Sequence, residues 1–166
     1  EGDKAIDALP KKIKQNERSV AEILAANMRK MIISERPNNP AYFDKMSDLL
    51  NHLLQEQKDG KIQYKELIKK LIEKLKEARS TIKTKYPATI DTKGKQALYD
   101  NLGKDEILAL RVHETIKANA RDGFRDMDSS GLKKMKALRR AVERVLQGVE
   151  VNIDDIMQLI VAQREY

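Results

Sequence analysis

The sequence predicts an all-α protein, an irregular bundle of about six to seven helices in two lobes joined near residues 85–94. Three observations predict it. Aromatic residues are 4% of the 166 and Trp is absent, while hydrophobic residues reach 40%. A core must then be built from Leu, Ile, Val, Ala and Met, which suits helix interfaces better than aromatic-rich sheets. Four prolines and seven glycines are too few for a sandwich that turns every ten residues or so. Finally, apolar residues recur at three- and four-residue spacing along most of the chain. The length fits one domain, 1–166, with lobe one at about 1–84, a linker at 85–92 and lobe two at about 93–166.

Each element has its own punctuation. Pro10 opens a turn, and a longer helix follows from about Glu17 to Glu35, striped by Val20, Ile23, Leu24, Met28, Met31 and Ile32. "RPNNP" breaks the chain at 36–40. Asn39 suits an N-cap and Pro40 a first helical residue, so a second helix spans about Pro40 to Lys58. "KDG" at 58–60 ends it, and a third runs from about Ile62 to Thr84. Its apolar side is Leu67, Ile68, Leu71, Ile72, Leu75, Ala78 and Ile82, with Lys65, Lys69, Lys76 and Lys83 opposite. "KYPATIDTKG" at 85–94 reads as an extended linker. Beyond it lie helices at about Lys93–Leu102, Asp105–Arg121, Ser129–Gln147 and Asn152–Arg164.

The joint in "ALYDNLGKDE" has a local explanation. Gly103 can adopt the left-handed conformation that ends a helix, and Asp105 can cap the next one while Glu106 favours its positive end. A DNA-reading helix-turn-helix also turns on a glycine. Bulky Tyr99, four residues before Gly103, sits where that motif needs a small residue, so the joint reads as a corner.

Without cysteine the chain has no disulfide framework, thiolate zinc site or cysteine nucleophile. No apolar run approaches the ~18–20 residues that span a bilayer, and lysines at 11, 12 and 14 interrupt any signal peptide. The expectation is a soluble, cytoplasmic protein of a bacterium or archaeon without a membrane partner. Beginning at Glu1, the chain reads as a fragment or processed product.

The net charge of +7 is unevenly spread. Residues 61–95 carry eleven Lys/Arg against four acids, and 129–148 carry six against the single Glu143. Such blocks suit a polyanion, although a lysine-rich helix is often merely solvated. The helix from Ser129 gives the sharper pattern. Met135, Leu138, Val142, Val145 and Leu146 share one side, and Lys133, Lys136, Arg140 and Arg144 line up opposite, flanked by Lys134 and Arg139. Arg121 and Arg125 can extend the ridge. Charge without interleaved aromatics suits duplex phosphates and not a single-strand stacking platform.

Catalytic and metal constellations do not emerge. None of Gly60-Lys61, Gly94-Lys95 and Gly103-Lys104 lies in a GxxxxGKS/T frame. His52 and His113 stand alone and read as partly exposed structural histidines. "DMDSSG" at 126–131 copies half a calcium loop, but the closing Glu is Ala137 and Lys133 fills the apolar eighth position. An N-cap at Asp128 or Ser129 explains it better.

Taken in order, "LPKKIKQN", "AEILAANMRKMI", "NNPAYFDKMSDLL", "KGKQALYDNLGKDEILAL" and "RDGFR" followed by "KKMKALRRAVERVL" resemble the C-terminal region of the R subunit (HsdR) of type I restriction–modification enzymes. The resemblance covers about Asp7 to Leu146, with "ALYDNLG" and "NPAYFDKMSDLL" its most specific pieces. The family's Trp-Arg-Gly-Asn is here Phe124-Arg125-Asp126-Met127, which keeps a plug and a charge but loses the turn. Residues 149–166 match no family signature. The resemblance implies a non-catalytic C-terminal domain of an ATP-dependent DNA translocase and endonuclease, whose ATP and Mg sites lie upstream. It implies docking to the methyltransferase (HsdM) and specificity (HsdS) subunits and to the rest of HsdR, beside double-stranded DNA. Tyr42, Tyr99, Asn101 and Phe124 are then candidates for partner docking or fixed inter-helix contacts, with core packing preferred for Tyr99 and Phe124. Two alternatives remain open: a purely protein-docking module without DNA contact, and a nucleotide-responsive regulator.

Overall fold

In the computed structural model, which describes residues 16–80 and 86–166, local capping starts most helices and tertiary hydrogen bonds finish the job. The described residues form seven α-helices and one 3-10 turn, with no strand among them, so the fold is all-α. The helices are α1 (Glu17–Glu35), α2 (Pro40–Lys58), α3 (Tyr64–Arg79), α4 (Lys93–Asn101), α5 (Glu106–Asn119), α6 (Ser129–Val145) and α7 (Ile153–Ala162). The turn expected at Pro10 lies outside the described residues. So do Ile82 and Lys83, placed in the third helix by the sequence; the described helix closes at Arg79, where Ser80 turns extended.

The chain divides into two compact units. One takes the described residues up to Arg36 and from Phe43 to Ser80; the other takes Pro37–Tyr42 and the described residues from Tyr86 on. The "RPNNP" break is therefore shared out, with Arg36 in the first unit and Pro37 to Pro40 in the second.

In the first unit α1 packs along α3. Asn16 starts α1 by accepting the Ser19 N–H at 3.2 Å. The period-3.6 stripe then buries Val20, Leu24, Met28 and Ile32, facing a core completed by Leu50 and Leu53 of α2 and Leu67, Leu71 and Leu75 of α3. Arg36 closes the end of α1 with a two-pronged contact to Asp44, Nε to Oδ1 at 2.6 Å and a terminal nitrogen to Oδ2 at 3.1 Å.

In the second unit the α4–α5 corner forms as the sequence predicts. Gly103 has φ +73°, and the Lys104 N–H reaches back to the Tyr99 carbonyl at 2.9 Å, a Schellman closure. Asp105 accepts the Leu108 N–H at 2.9 Å and starts α5. Leu98, Ala109, Val112, Ile116, Leu138, Val142 and Ile160 are fully buried where α4, α5, α6 and α7 meet. Residues 86–92, expected as linker, belong to this unit: Ile90 is 1% exposed and Thr92 caps α4 through the Lys95 N–H.

The two most specific segments of the sequence touch each other here. Asn39 caps α2 by accepting the Tyr42 N–H at 3.3 Å, while its own amide donates to Asp100 at 2.8 Å. Asn101 accepts the Ala41 N–H at 3.2 Å and donates to Asn39 Oδ1 at 2.9 Å and the Ala97 carbonyl at 2.8 Å. Pro40 has no N–H to satisfy, and the next two N–H groups of α2, those of Ala41 and Tyr42, both find side-chain acceptors. Tyr86 donates to the same Asp100 carboxylate and meets Tyr99 edge to face at 5.7 Å. Replacing Asn101 by alanine strips the Ala41 N–H and the Asn39 amide oxygen of a partner together. The expected loss is about 2 kcal/mol of unfolding free energy, read by urea denaturation of the 166-residue chain.

Candidate nucleic-acid interface

α6 starts because Asp128 accepts the Gly131 N–H at 2.7 Å, the N-cap role expected of it. Leu138, Ala141 and Val142 fix its inner face. That orientation leaves Lys133, Lys136, Arg140 and Arg144 exposed on the outer face, spaced three, four and four residues apart. The row is about 16 Å long, at 1.5 Å rise per residue. The side chains of Lys133, Lys136 and Arg140 make no ion pair or hydrogen bond among the described residues. Arg144 makes only a 3.3 Å contact from Nε to the Arg140 carbonyl, which leaves its outer nitrogens available.

The flanking cations are engaged elsewhere. Arg139 bridges Glu143, at 2.8 Å, and Asp154, at 2.6 Å, and these carboxylates hold its guanidinium above its ordinary pKa. Glu143, the one acid of the block, is thereby paired with Arg139. Lys134 donates to the Asp122 carbonyl at 2.7 Å. Arg121 is exposed in the loop between α5 and α6. Met127 and Leu132, large apolar residues exposed at 88% and 48%, flank the start of α6.

Arg125 does not extend the ridge. Its guanidinium donates to three backbone carbonyls beyond the middle of α7, Val161 at 3.0 Å, Gln163 at 2.7 Å and Tyr166 at 2.8 Å, and lies 4.1 Å from the centre of the Phe124 ring. Carbonyls at a helix C-terminus lack helical partners, and a planar five-donor fork can take several at once. Desolvation there lowers its pKa, but a guanidinium stays charged at any working pH. Phe124, 3% exposed, is a core plug, as the sequence suggests.

The same tail carries functional groups that sequence reasoning misses. Gln163 donates to the Asn38 carbonyl. Glu165 accepts from Thr92 Oγ1 and the Gly94 N–H, both at 2.8 Å, so its carboxylate sits on the positive end of α4. Tyr166 Oη meets His113 Nδ1 at 2.7 Å. No motif announces these contacts, because their partners lie 53 to 125 positions away in the chain.

His113 corrects one expectation: it is 3% exposed, not partly exposed, while His52 lies out in solvent 3.5 Å from Glu56. Burial is the main cause lowering the His113 pKa from 6.5, partly opposed by Glu165 at 3.9 Å. The unfolded chain therefore binds a proton before the folded one does. Stability contributed at neutral pH is expected to fall as pH drops below about 6.5. A lower urea midpoint at pH 5.5 than at 7.5, with the difference reduced in His113→Gln, is the expected result. Burial also raises the Tyr166 phenol, which stays protonated.

Of the twelve residues singled out by sequence, the structure brings Lys133, Lys136, Arg140 and Arg144 onto one exposed face, with Lys134 and Arg139 beside it and already bonded, and leaves Arg121 exposed in the preceding loop. It assigns Arg125, Asn101, Tyr99 and Phe124 to internal contacts, while Tyr42 is half-buried at the start of α2. Among the described residues no group of three or more His, Asp or Glu side chains is placed to hold a metal, and no helix is long and apolar enough to cross a membrane. Compared with protein families, with curated proteins and with solved structures, the chain gives no match.

Proposed function

We propose that this chain is a non-catalytic helical module that holds the phosphate backbone of double-stranded DNA along α6. In keeping with its resemblance to type I restriction motor subunits, it would help dock an ATP-dependent translocase and endonuclease onto the methyltransferase core. The observation that carries the DNA contact is the outer face of α6, four cations in a row with the only acid of the block paired with Arg139. A convex ridge offers no concavity for a small anion, but its line of charges, about five base-pair steps long at ~3.4 Å each, suits the extended backbone of a duplex. Contacts of this kind read charge and not base sequence.

Charge reversal at Lys136, Arg140 and Arg144 is therefore expected to weaken binding to a 20-base-pair duplex by at least tenfold near 100 mM salt, irrespective of duplex sequence. Unchanged affinity in a folded triple variant contradicts the DNA contact.

A second reading, docking to protein alone, is favoured by the exposed Met127 and Leu132 at the start of α6. It predicts retention of the methyltransferase core by the triple variant, loss of that retention in Met127→Ser with Leu132→Ser, and no salt-dependent DNA binding by the wild-type chain.

A further inference from the structure

We propose that the first unit carries its own phosphate-binding face, on α3, independent of the α6 ridge. The sequence of α3 sorts its charges by side. At about 100° per residue, Lys65, Lys69, Lys76 and Arg79 fall within about 80° of arc, while Glu66, Glu73 and Glu77 centre about a quarter-turn away. The structure pairs two of these three acids. Glu66 takes Lys70 at 3.1 Å and Glu77 takes Lys74 at 2.7 Å, so these acids are neutralised by lysines outside the row. Lys65, Lys69 and Arg79 are exposed and make no side-chain ion pair or hydrogen bond among the described residues. From Lys65 to Arg79 the row is about 21 Å long, about six base-pair steps of a duplex at ~3.4 Å each.

The chemistry of this face selects its occupant. A protein partner needs apolar anchors at the centre of a patch, and a membrane surface needs an apolar helix face beside the charges. The large hydrophobics exposed among the described residues are Ile33, Ile107, Met127, Leu132 and Val161, and none belongs to α3. Its single aromatic, Tyr64, is half-buried and offers no platform for unstacked bases. What remains is a row of cations suited to a double-stranded DNA backbone.

The test is the salt dependence of duplex binding by the whole chain. Lys65→Gln, Lys69→Gln and Arg79→Gln together are expected to make the slope of log K against log salt shallower by about 2.7, at ~0.9 per lost phosphate contact. Circular dichroism confirms that the variant is folded, and the ridge variant at Lys136, Arg140 and Arg144 is measured alongside. A shallower slope in the α3 variant establishes the second face, whatever the ridge variant does. An unchanged slope in the α3 variant overturns it. If the ridge variant still flattens the slope in that case, the DNA contact on α6 survives alone; if neither variant changes it, both fail.

Discussion

Gly131→Ala is expected to destabilise the chain by about 2–4 kcal/mol, although alanine is the better helix former. A Cβ at this position would lie 2.2 Å from the Asp126 carbonyl oxygen and 2.8 Å from that of Gly123, both backbone atoms. Neither can rotate away. The 121–127 loop is itself held by the Phe124 N–H on the Arg121 carbonyl at 2.9 Å and the Asp126 N–H on the Gly123 carbonyl at 3.1 Å. Relief requires the whole turn to lift from α6, drawing Phe124 out of the core and Arg125 off the tail. Helix propensity returns only about 1 kcal/mol, less than the cost of overpacking against fixed backbone. Urea unfolding measures the outcome, and a neutral or stabilising effect would show that the loop does not press on α6.

Arg125→Ala is the second large effect, about 2–3 kcal/mol, from the loss of charge-assisted bonds to three carbonyls and of packing on Phe124. Lysine is not expected to rescue it, because one ammonium cannot reproduce the planar fork that serves Val161, Gln163 and Tyr166 together. DNA affinity, in contrast, is expected to change less than twofold. That combination separates a residue clamping the fold from one holding phosphates: a stable Arg125→Ala with weakened DNA binding would return Arg125 to the ridge.

Local signals made the helices legible. Asn39 with Pro40, Gly103 with Asp105, and Asp128 each work within four residues, so sequence alone places them. The ridge on α6 was legible for the same reason, since a 3.6-residue period fixes which side chains oppose the core. What escaped was tertiary. Arg125 looks in sequence like any other cation of a basic stretch, and only the fold brings it to the end of α7, 36 to 41 positions on. Lys134 and Arg139 face the same problem, and their bonds to Asp122 and Asp154 span loops. Residues 163–166 show no periodicity at all, yet Gln163, Glu165 and Tyr166 bond to Asn38, to Thr92 with Gly94, and to His113. "KYPATIDTKG" reads as an extended linker, and nothing local in it reveals that Ile90 is buried.

The central claim, that the outer face of α6 holds DNA phosphates, is tested most directly by the salt dependence it contributes. Binding of the 166-residue chain to a duplex is measured between 50 and 200 mM salt, for the wild type and for the folded variant reversed at Lys136, Arg140 and Arg144. Three lost contacts predict a slope shallower by about 2.7, so that about 40-fold of the wild type's affinity loss across that range disappears in the variant. Identical slopes in the two proteins would contradict the claim.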